Sequence, residues 1–332
     1  MAGTLVIGPA WIGDMVLAHS LFQRLKADAP ERRLAVAAPP WTLPLLRFMP
    51  EVDEAIALPF GHGELELLER RRIGRNLARA GFDRAILLPN SLKSALVPWF
   101  AGIPTRIGYA GEGRSVLLTD ARRLDKAALP RTVDRFVALA GDGPPAPPRL
   151  SLPPGAADGA LAALGLQRPA GRLLALCPGA EYGEAKRWPA AYFAEVARTH
   201  LAKGGQAWLF GGPGDRAIAQ EVADAAPGAV VLAGRTDLAQ AVALLSLADA
   251  VVTNDSGLMH VAAALGRRVV AIYGSSSPDM TPPLPPAGAP AARALSLALA
   301  CSPCYQRRCP LGHLNCLKQL EPVRVIAALE DA

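Results

Sequence analysis

Residues Ala248–Gly266 read ADAVVTNDSGLMHVAAALG, and three local signals follow one another within that stretch. Ala250-Val251-Val252-Thr253 is a short apolar, β-rich run, the pattern of a buried strand. Asn254-Asp255-Ser256-Gly257 is a tight polar turn. Leu258, Val261, Ala262 and Leu265 then recur at helical spacing. Strand, turn and helix in so few residues place Asp255 at the carboxyl end of a strand and Ser256-Gly257 at a helix N-terminus. A helix start offers free N–H groups and a partial positive charge, a natural phosphate site. Gly257 lets an anion approach the backbone with no Cβ in the way. A carboxylate beside a phosphate site needs another task, such as holding sugar hydroxyls. The plainer reading is that Asp255 or Ser256 caps the helix. His260, one turn in, either assists a bound group or packs as an ordinary helix residue.

The rest of the chain repeats this unit. Leu5–Ile7 is a strand, Gly8–Asp14 a loop and Met15–Lys26 a helix. The loop lacks G-x-G-x-x-G, which weakens a dinucleotide-dehydrogenase reading. Asp14 there is either an N-cap or a carboxylate at the edge where open α/β sheets bind ligands. Strands are expected at Leu34–Ala38, Ala55–Leu58, Arg84–Leu88 and Arg106–Tyr109. Helices are expected at Trp41–Phe48, Glu64–Arg79, Leu92–Phe100 and Thr132–Ala140. Lys93 lies in a first helical turn, against the dipole, which marks it for anion binding. Gly141–Pro154 (GDGPPAPPRLSLPP) has a linker's composition.

After it the alternation restarts, with strands at Leu173–Cys177, Ala207–Phe210, Val230–Leu232 and Val269–Ile272. Helices are expected at Ala157–Leu164, Ala190–Lys203, Ala217–Ala225, Leu238–Leu247 and Pro322–Leu329. Strands alternating with helices make a parallel sheet covered on both faces. The predicted class is α/β: two doubly wound, Rossmann-like domains over 1–150 and 151–320, facing each other across a cleft, and a terminal helix over 321–332.

Composition narrows the function. The chain is 51% hydrophobic, enough for large cores, yet no apolar run reaches the roughly 18 residues of a bilayer span. Met1–Gly8 has no basic n-region and reads as a strand rather than a signal peptide. A net charge of +6 favours an anionic partner: nucleotide, nucleic acid or acidic membrane surface. Basic and aromatic residues do not interleave as in single-strand binders, which disfavours nucleic acid. Cys301, Cys304, Cys309 and Cys316 crowd near the end, leaving Cys177 as an ordinary buried cysteine. Their spacing leaves three readings open: a structural zinc site, free thiols, or disulfides, the last disfavoured in a reducing compartment.

Four segments carry a resemblance: IGPAWIGDMVLAHSL (7–21), LPNSLKSALVP (88–98), CPGAEYGEAKRWP (177–189) and TNDSGLMHVAAALGRRVVAIYGSSSPDMTPP (253–283). Together and in this order the chain resembles the lipopolysaccharide heptosyltransferases, nearest to the type II members that add the second inner-core heptose. The resemblance implies a GT-B fold, with the acceptor on the first domain and the nucleotide sugar on the second. It implies an inverting, metal-independent, cytoplasmic glycosyltransferase that moves heptose from ADP-heptose to Hep-Kdo2-lipid A, in peripheral contact with the inner membrane, its last helix crossing back to the first domain.

By motif, Asp14 matches the catalytic base and Lys186 the group that meets the leaving diphosphate. Asp215 matches the residue that holds the ribose, Asp255 the heptose ligand, and Ser256-Gly257 the phosphate amides. Arg187 and His260 are further donor-side candidates; Trp11, Gly13, Asn90, Ser91, Lys93 and Arg114 are acceptor-side candidates. Arg70, Arg71 and Arg72 are expected to join Lys93 and Arg114 in meeting either acidic groups of the acceptor (Kdo and lipid A phosphates) or the anionic membrane face. The cysteine cluster is outside the family pattern. The alternatives are another core heptosyltransferase such as type I, a nucleotide-sugar epimerase of the same architecture, and a non-catalytic nucleotide-binding protein.

Overall fold

A computed structural model gives the structure and describes residues 3–61 and 63–330. Met1 and Ala2 of the expected first strand, and residues 331–332 of the expected terminal segment, lie outside the described residues. The chain forms two compact units, Met1–Pro148 and Arg149–Ala332, and the boundary falls inside the Pro/Gly-rich stretch.

The first unit carries strands β1 (Gly3–Ile7), β2 (Arg33–Ala38), β3 (Glu54–Ala57), β4 (Phe82–Leu87), β5 (Thr105–Tyr109) and β6 (Asp120–Arg122). They form one parallel sheet in the order β3-β2-β1-β4-β5-β6. All five residues of β1 are buried, as expected of a central strand covered on both faces. Helices α1 (Ile12–Asp28), α2 (Leu67–Leu77), α3 (Leu96–Phe100) and α4 (Thr132–Val137) cover it, α1 packing on α4 and α2 on α3.

The helix expected over Glu64–Arg79 starts only at Leu67. Glu66 is left-handed (φ +40°), and the Gly61 N–H donates to the Glu64 carboxylate at 2.9 Å, so these residues form a turn instead. The segment expected as one helix from Leu92 is a 3₁₀ turn, Leu92–Ala95, followed by α3.

The second unit repeats the plan. Its strands are β7 (Leu173–Cys177), β8 (Gln206–Leu209), β9 (Val230–Val231), β10 (Ala250–Asn254), β11 (Arg268–Ile272) and β12 (Arg293–Leu295), in the order β12-β11-β10-β7-β8-β9. Counted from its own first strand, each sheet runs 3-2-1-4-5-6, the Rossmann order. The helices are α5 (Ala156–Leu164), α6 (Ala190–Ala202), α7 (Arg216–Ala225), α8 (Leu238–Leu245), α9 (Gly257–Ala264), α10 (Asn315–Lys318) and α11 (Pro322–Glu330). The edge strands β6 and β12 have no counterpart among the expected elements, being three residues each and carrying charge.

The terminal helix is a correction. Val325 and Ala328 of α11 are buried in the second unit's core with Phe193, Ala194 and Ala197 of α6 and Val270 and Ile272 of β11. It packs on α6 and β11 because its apolar stripe closes that core; it belongs to the second unit. Among the described residues no helix is long and apolar enough to cross a membrane.

Strand order fixes where each unit offers a ligand crevice. The order reverses between β1 and β4 in one sheet and between β7 and β10 in the other, so loops leaving their carboxyl ends diverge to opposite faces and open a gap. Pairing aligns Ile7 with Leu87 and Thr253 with Cys177, which sets the following loops side by side.

One packing contact in the first unit is tight enough to test. A Cβ on Gly74 would lie 2.5 Å from Phe100 Cβ and 2.7 Å from the Val97 carbonyl oxygen. Gly74→Ala should therefore destabilise the first unit by roughly 1–3 kcal/mol, despite the ~1 kcal/mol that alanine gains in helix propensity. Denaturant unfolding followed by intrinsic fluorescence measures it, and a rise in midpoint would contradict the α2–α3 packing.

Candidate active site

The second unit's crevice is built around one buried carboxylate. Asp255 leaves the end of β10, and its own N–H donates to the Ile272 carbonyl of β11 at 3.1 Å. Only 6% of it is exposed. A buried carboxylate requires partners, and Oδ2 has two: Lys186 Nζ at 2.5 Å and Ser276 Oγ at 2.5 Å. Ser276 did not stand out in the sequence; its position in the polar run after β11, a third strand end on the same sheet edge, is the signal that would have found it.

Lys186 is brought there by a loop that is pinned rather than free. Asn254, fully buried at the end of β10, accepts from the Trp188 N–H at 3.0 Å and donates to the Pro178 carbonyl at 2.7 Å. One side-chain amide thus holds both ends of the 178–188 loop. The Trp188 indole is buried against Tyr192 and Phe193 and donates to the Leu320 carbonyl at 2.8 Å. Lys186 ends a 3₁₀ turn two residues before this anchor.

The helix start beside Asp255 is open. Ser256 is the N-cap residue of α9 but makes no capping hydrogen bond; its Oγ lies 3.3 Å from Thr253 Oγ1. The capping reading of Asp255 and Ser256 is therefore corrected, and the first N–H groups of α9 remain available to an anion. His260 is 5% exposed. Burial pushes its pKa down to about 4, with Asp255 opposing and Lys186 adding to the effect, so the ring is neutral at physiological pH; its Nδ1 has no hydrogen-bond partner among the described residues.

Asp215 sits at the end of the turn that follows β8. Its Oδ2 accepts from the Gly212 N–H at 3.0 Å, and a Cβ on Gly179 would fall 2.1 Å from its carboxyl carbon. Glycine at 179 is what lets Asp215 approach the edge of β7. Arg187 is exposed, with Nε directed to the Ala180 carbonyl at 3.3 Å. Cys177 beneath is a buried thiol pushed up to about 12 by desolvation, an inert packing residue.

In the first unit, Asp14 lies in the first turn of α1, half-buried. The N-cap position belongs to Trp11, so the capping reading of Asp14 is corrected as well. Gly13 is buried and Trp11 is 41% exposed. Asn90, Ser91 and Lys93 occupy the loop after β4.

Arg114 is a correction to the acceptor-side set. It is fully buried, donating from Nε to the Tyr109 carbonyl at 2.8 Å, from Nη1 to Ser94 Oγ at 2.9 Å and the Pro89 carbonyl, and from Nη2 to Asn90 Oδ1 at 3.0 Å. Burial lowers its pKa to about 10, which leaves it charged. It organises the Pro89–Ser94 loop from beneath and cannot meet an acceptor directly. Arg70 is also buried, bonded to the Leu65 and Lys93 carbonyls and stacked 3.7 Å from the Phe60 ring centre. Arg72 is paired with Glu69, whereas Arg71 is exposed.

The cysteines form no disulfide among the described residues. All five are free thiols, and among the described residues no three His, Cys, Asp or Glu side chains are arranged to hold a metal ion. Burial raises the pKa of Cys316, and the neighbouring thiols Cys301, Cys304 and Cys309 raise it further. Cys309 instead accepts backbone N–H bonds, that of Leu314 first, which lower its pKa.

Comparison with known proteins follows the geometry. Residues 70–315 match the model of glycosyltransferase family 9 (heptosyltransferase). The chain is 49% identical over 298 residues to lipopolysaccharide heptosyltransferase 2 of Salmonella typhimurium, covering 84% of this chain and 85% of that protein. It is 45% identical over 301 residues to lipooligosaccharide heptosyltransferase 2 of Haemophilus influenzae, with the same coverage of 84% and 85%. The structure of Escherichia coli ADP-heptose lps heptosyltransferase II superposes with a TM-score of 0.88 at 42% identity, over 99% of this chain and 98% of that one.

The neutral His260 has a consequence for pH. The unfolded imidazole takes its proton near 6.5 and the folded one near 4. Between those values unfolding takes up a proton, so the native state loses stability as pH falls through that window. Thermal melts from pH 7 to 4 should show a steeper loss for the native chain than for His260→Gln, and parallel curves would mean that His260 titrates normally.

Proposed function

The chain belongs to glycosyltransferase family 9, the heptosyltransferases, and on that footing we propose that it moves L-glycero-D-manno-heptose from ADP-heptose to the first heptose of the lipopolysaccharide inner core, Hep-Kdo2-lipid A. What carries the reading is its 45–49% identity to heptosyltransferases 2 over most of the chain. The Lys186–Asp255 pair at the strand-order reversal supports the donor site, where a cation and an open helix start suit a diphosphate.

The reaction is one in-line displacement. Asp14 takes the proton of the acceptor hydroxyl as its oxygen attacks the anomeric carbon. The bond to the diphosphate breaks, ADP leaves with the electron pair, and configuration inverts. No metal is invoked: Lys186, assisted by Arg187 and the N–H groups at Ser256-Gly257, carries the charge that develops on the leaving oxygens. Asp255 holds the heptose hydroxyls and, without donor, keeps Lys186 neutralised in place. Asp215 holds the ribose, and neutral His260 adds a hydrogen bond on the donor side.

Trp11, Gly13, Asn90, Ser91 and Lys93 form the acceptor side, with Arg114 setting the Asn90 side chain. The exposed Leu65, Leu67 and Leu68 adjoin the exposed Arg71 and Arg75, which suits peripheral contact with an anionic cytoplasmic leaflet.

Asp14→Asn should lower kcat about 10²- to 10⁴-fold while ADP-heptose binding persists; near-native turnover would remove the base. Lys186→Ala should lose about 3 kcal/mol of transition-state stabilisation, read from single-turnover rates at a temperature where the variant is folded. Mass spectrometry should detect heptose transfer to mono-heptosylated Kdo2-lipid A and none to Kdo2-lipid A; the opposite preference would make the chain a type I enzyme.

A further inference from the structure

The segment bearing the cysteines folds back onto the loop that carries Lys186. Ser302 Oγ donates to the Gly274 carbonyl at 2.5 Å, and the Tyr305 N–H to the Ser275 carbonyl at 2.6 Å. Tyr182 OH donates to the Tyr305 carbonyl at 2.8 Å. The Ala185 N–H, next to Lys186, donates to the Arg307 carbonyl at 3.2 Å. Gly183 makes that approach possible: its φ is +153°, and a Cβ there would lie 2.4 Å from the Arg307 carbonyl oxygen. The backbone of Arg307 is thereby tied to the Lys186 turn, although the two residues are far apart in sequence.

The side chains converge as well. The Tyr182 ring has Lys186 Nζ 5.0 Å and Arg307 Cζ 5.2 Å from its centre. Two cations on one ring repel each other. Asp255 is already engaged by Lys186 and Ser276. Arg307 is exposed and has no carboxylate partner among the described residues. Lys186 has the buried Asp255 as its partner, and Arg307 adds a second positive charge on the same Tyr182 ring. A guanidinium fork matches phosphate oxygens bidentately where an ammonium acts as a point charge.

We propose that Arg307 is a second cationic ligand of the departing diphosphate, oriented by the Tyr182 ring and by the main-chain tie to Ala185. The inference rests on the reading of this crevice as the ADP-sugar site. Arg307 lies outside the two segments that supply Lys186 and Asp255, and the fold brings it alongside them.

The test is calorimetric binding of ADP and of AMP, which lacks the second phosphate, to the full chain and to Arg307→Ala, Arg307→Gln and Arg307→Lys. Loss of a charge-assisted contact predicts ADP affinity down about tenfold or more in the Ala and Gln variants. AMP affinity and melting temperature should hold, and Lys should recover part of the loss. Donor kcat/KM should fall in step with ADP affinity. ADP affinity within about twofold of native in Arg307→Ala would overturn the assignment. So would an equal loss for ADP and AMP, which would make Arg307 a purely structural residue. A native chain that binds neither nucleotide would overturn the donor-site reading itself, a result distinct from either.

Discussion

An ammonium and a carboxylate drawn together at the edge of a parallel sheet are the constraint on which the second unit is built. Asp255 is almost wholly out of water, and a carboxylate in that position is tolerable only when opposed by charge and hydrogen bonds. Lys186 and Ser276 supply them. Because the pair spans two loops from neighbouring strands, everything that fixes those loops also fixes the charge pattern. Asn254 ties the Lys186 loop at both ends, Trp188 anchors it to the core, and Asp255 is tied through its own N–H to β11. The charge pattern is thereby fixed by the protein's own hydrogen bonds, the kind of preorganisation that stabilises developing charge.

The first unit solves a different problem with a buried cation. Arg114 has no carboxylate among its hydrogen-bond partners; it is satisfied by the Tyr109 and Pro89 carbonyls, Asn90 Oδ1 and Ser94 Oγ. Its work is done beneath the loop after β4, whose shape would otherwise depend on exposed side chains. Arg70 does the same from α2, bonding carbonyls on either side of it. Basic residues that a charge count assigns to an anionic ligand are here part of the scaffold that presents one.

Much of this was legible in the chain itself. Short apolar strands and the helices between them follow from periodicity, and the two sheets emerge from their alternation. Asp255 is legible because a strand, a polar turn and a helix leave few places for it to be, whereas Lys186, in a long polar loop, stands out only through the family resemblance. What periodicity cannot show is which polar residues face inward. Arg114 and Lys93 look alike in sequence, yet one is buried and the other half-buried. Ser276 sits among three consecutive serines, and only the neighbouring strand end singles it out. The α11 helix was misplaced because an apolar stripe says that a helix is buried, not against which core.

The bond from the Trp188 indole to the Leu320 carbonyl joins the middle of the chain to its end. Leu317 lies in the same core, against Gly274. During synthesis the ribosome releases Lys186 and Asp255 long before residues 317–328 emerge. Until they do, the indole has no acceptor and the face of the second sheet under α11 is uncovered. A nascent chain thus holds Lys186, Trp188 and Asp255 before it has the clasp that sets the loop between them, and that loop acquires its final anchor only when residues 317–328 join the core.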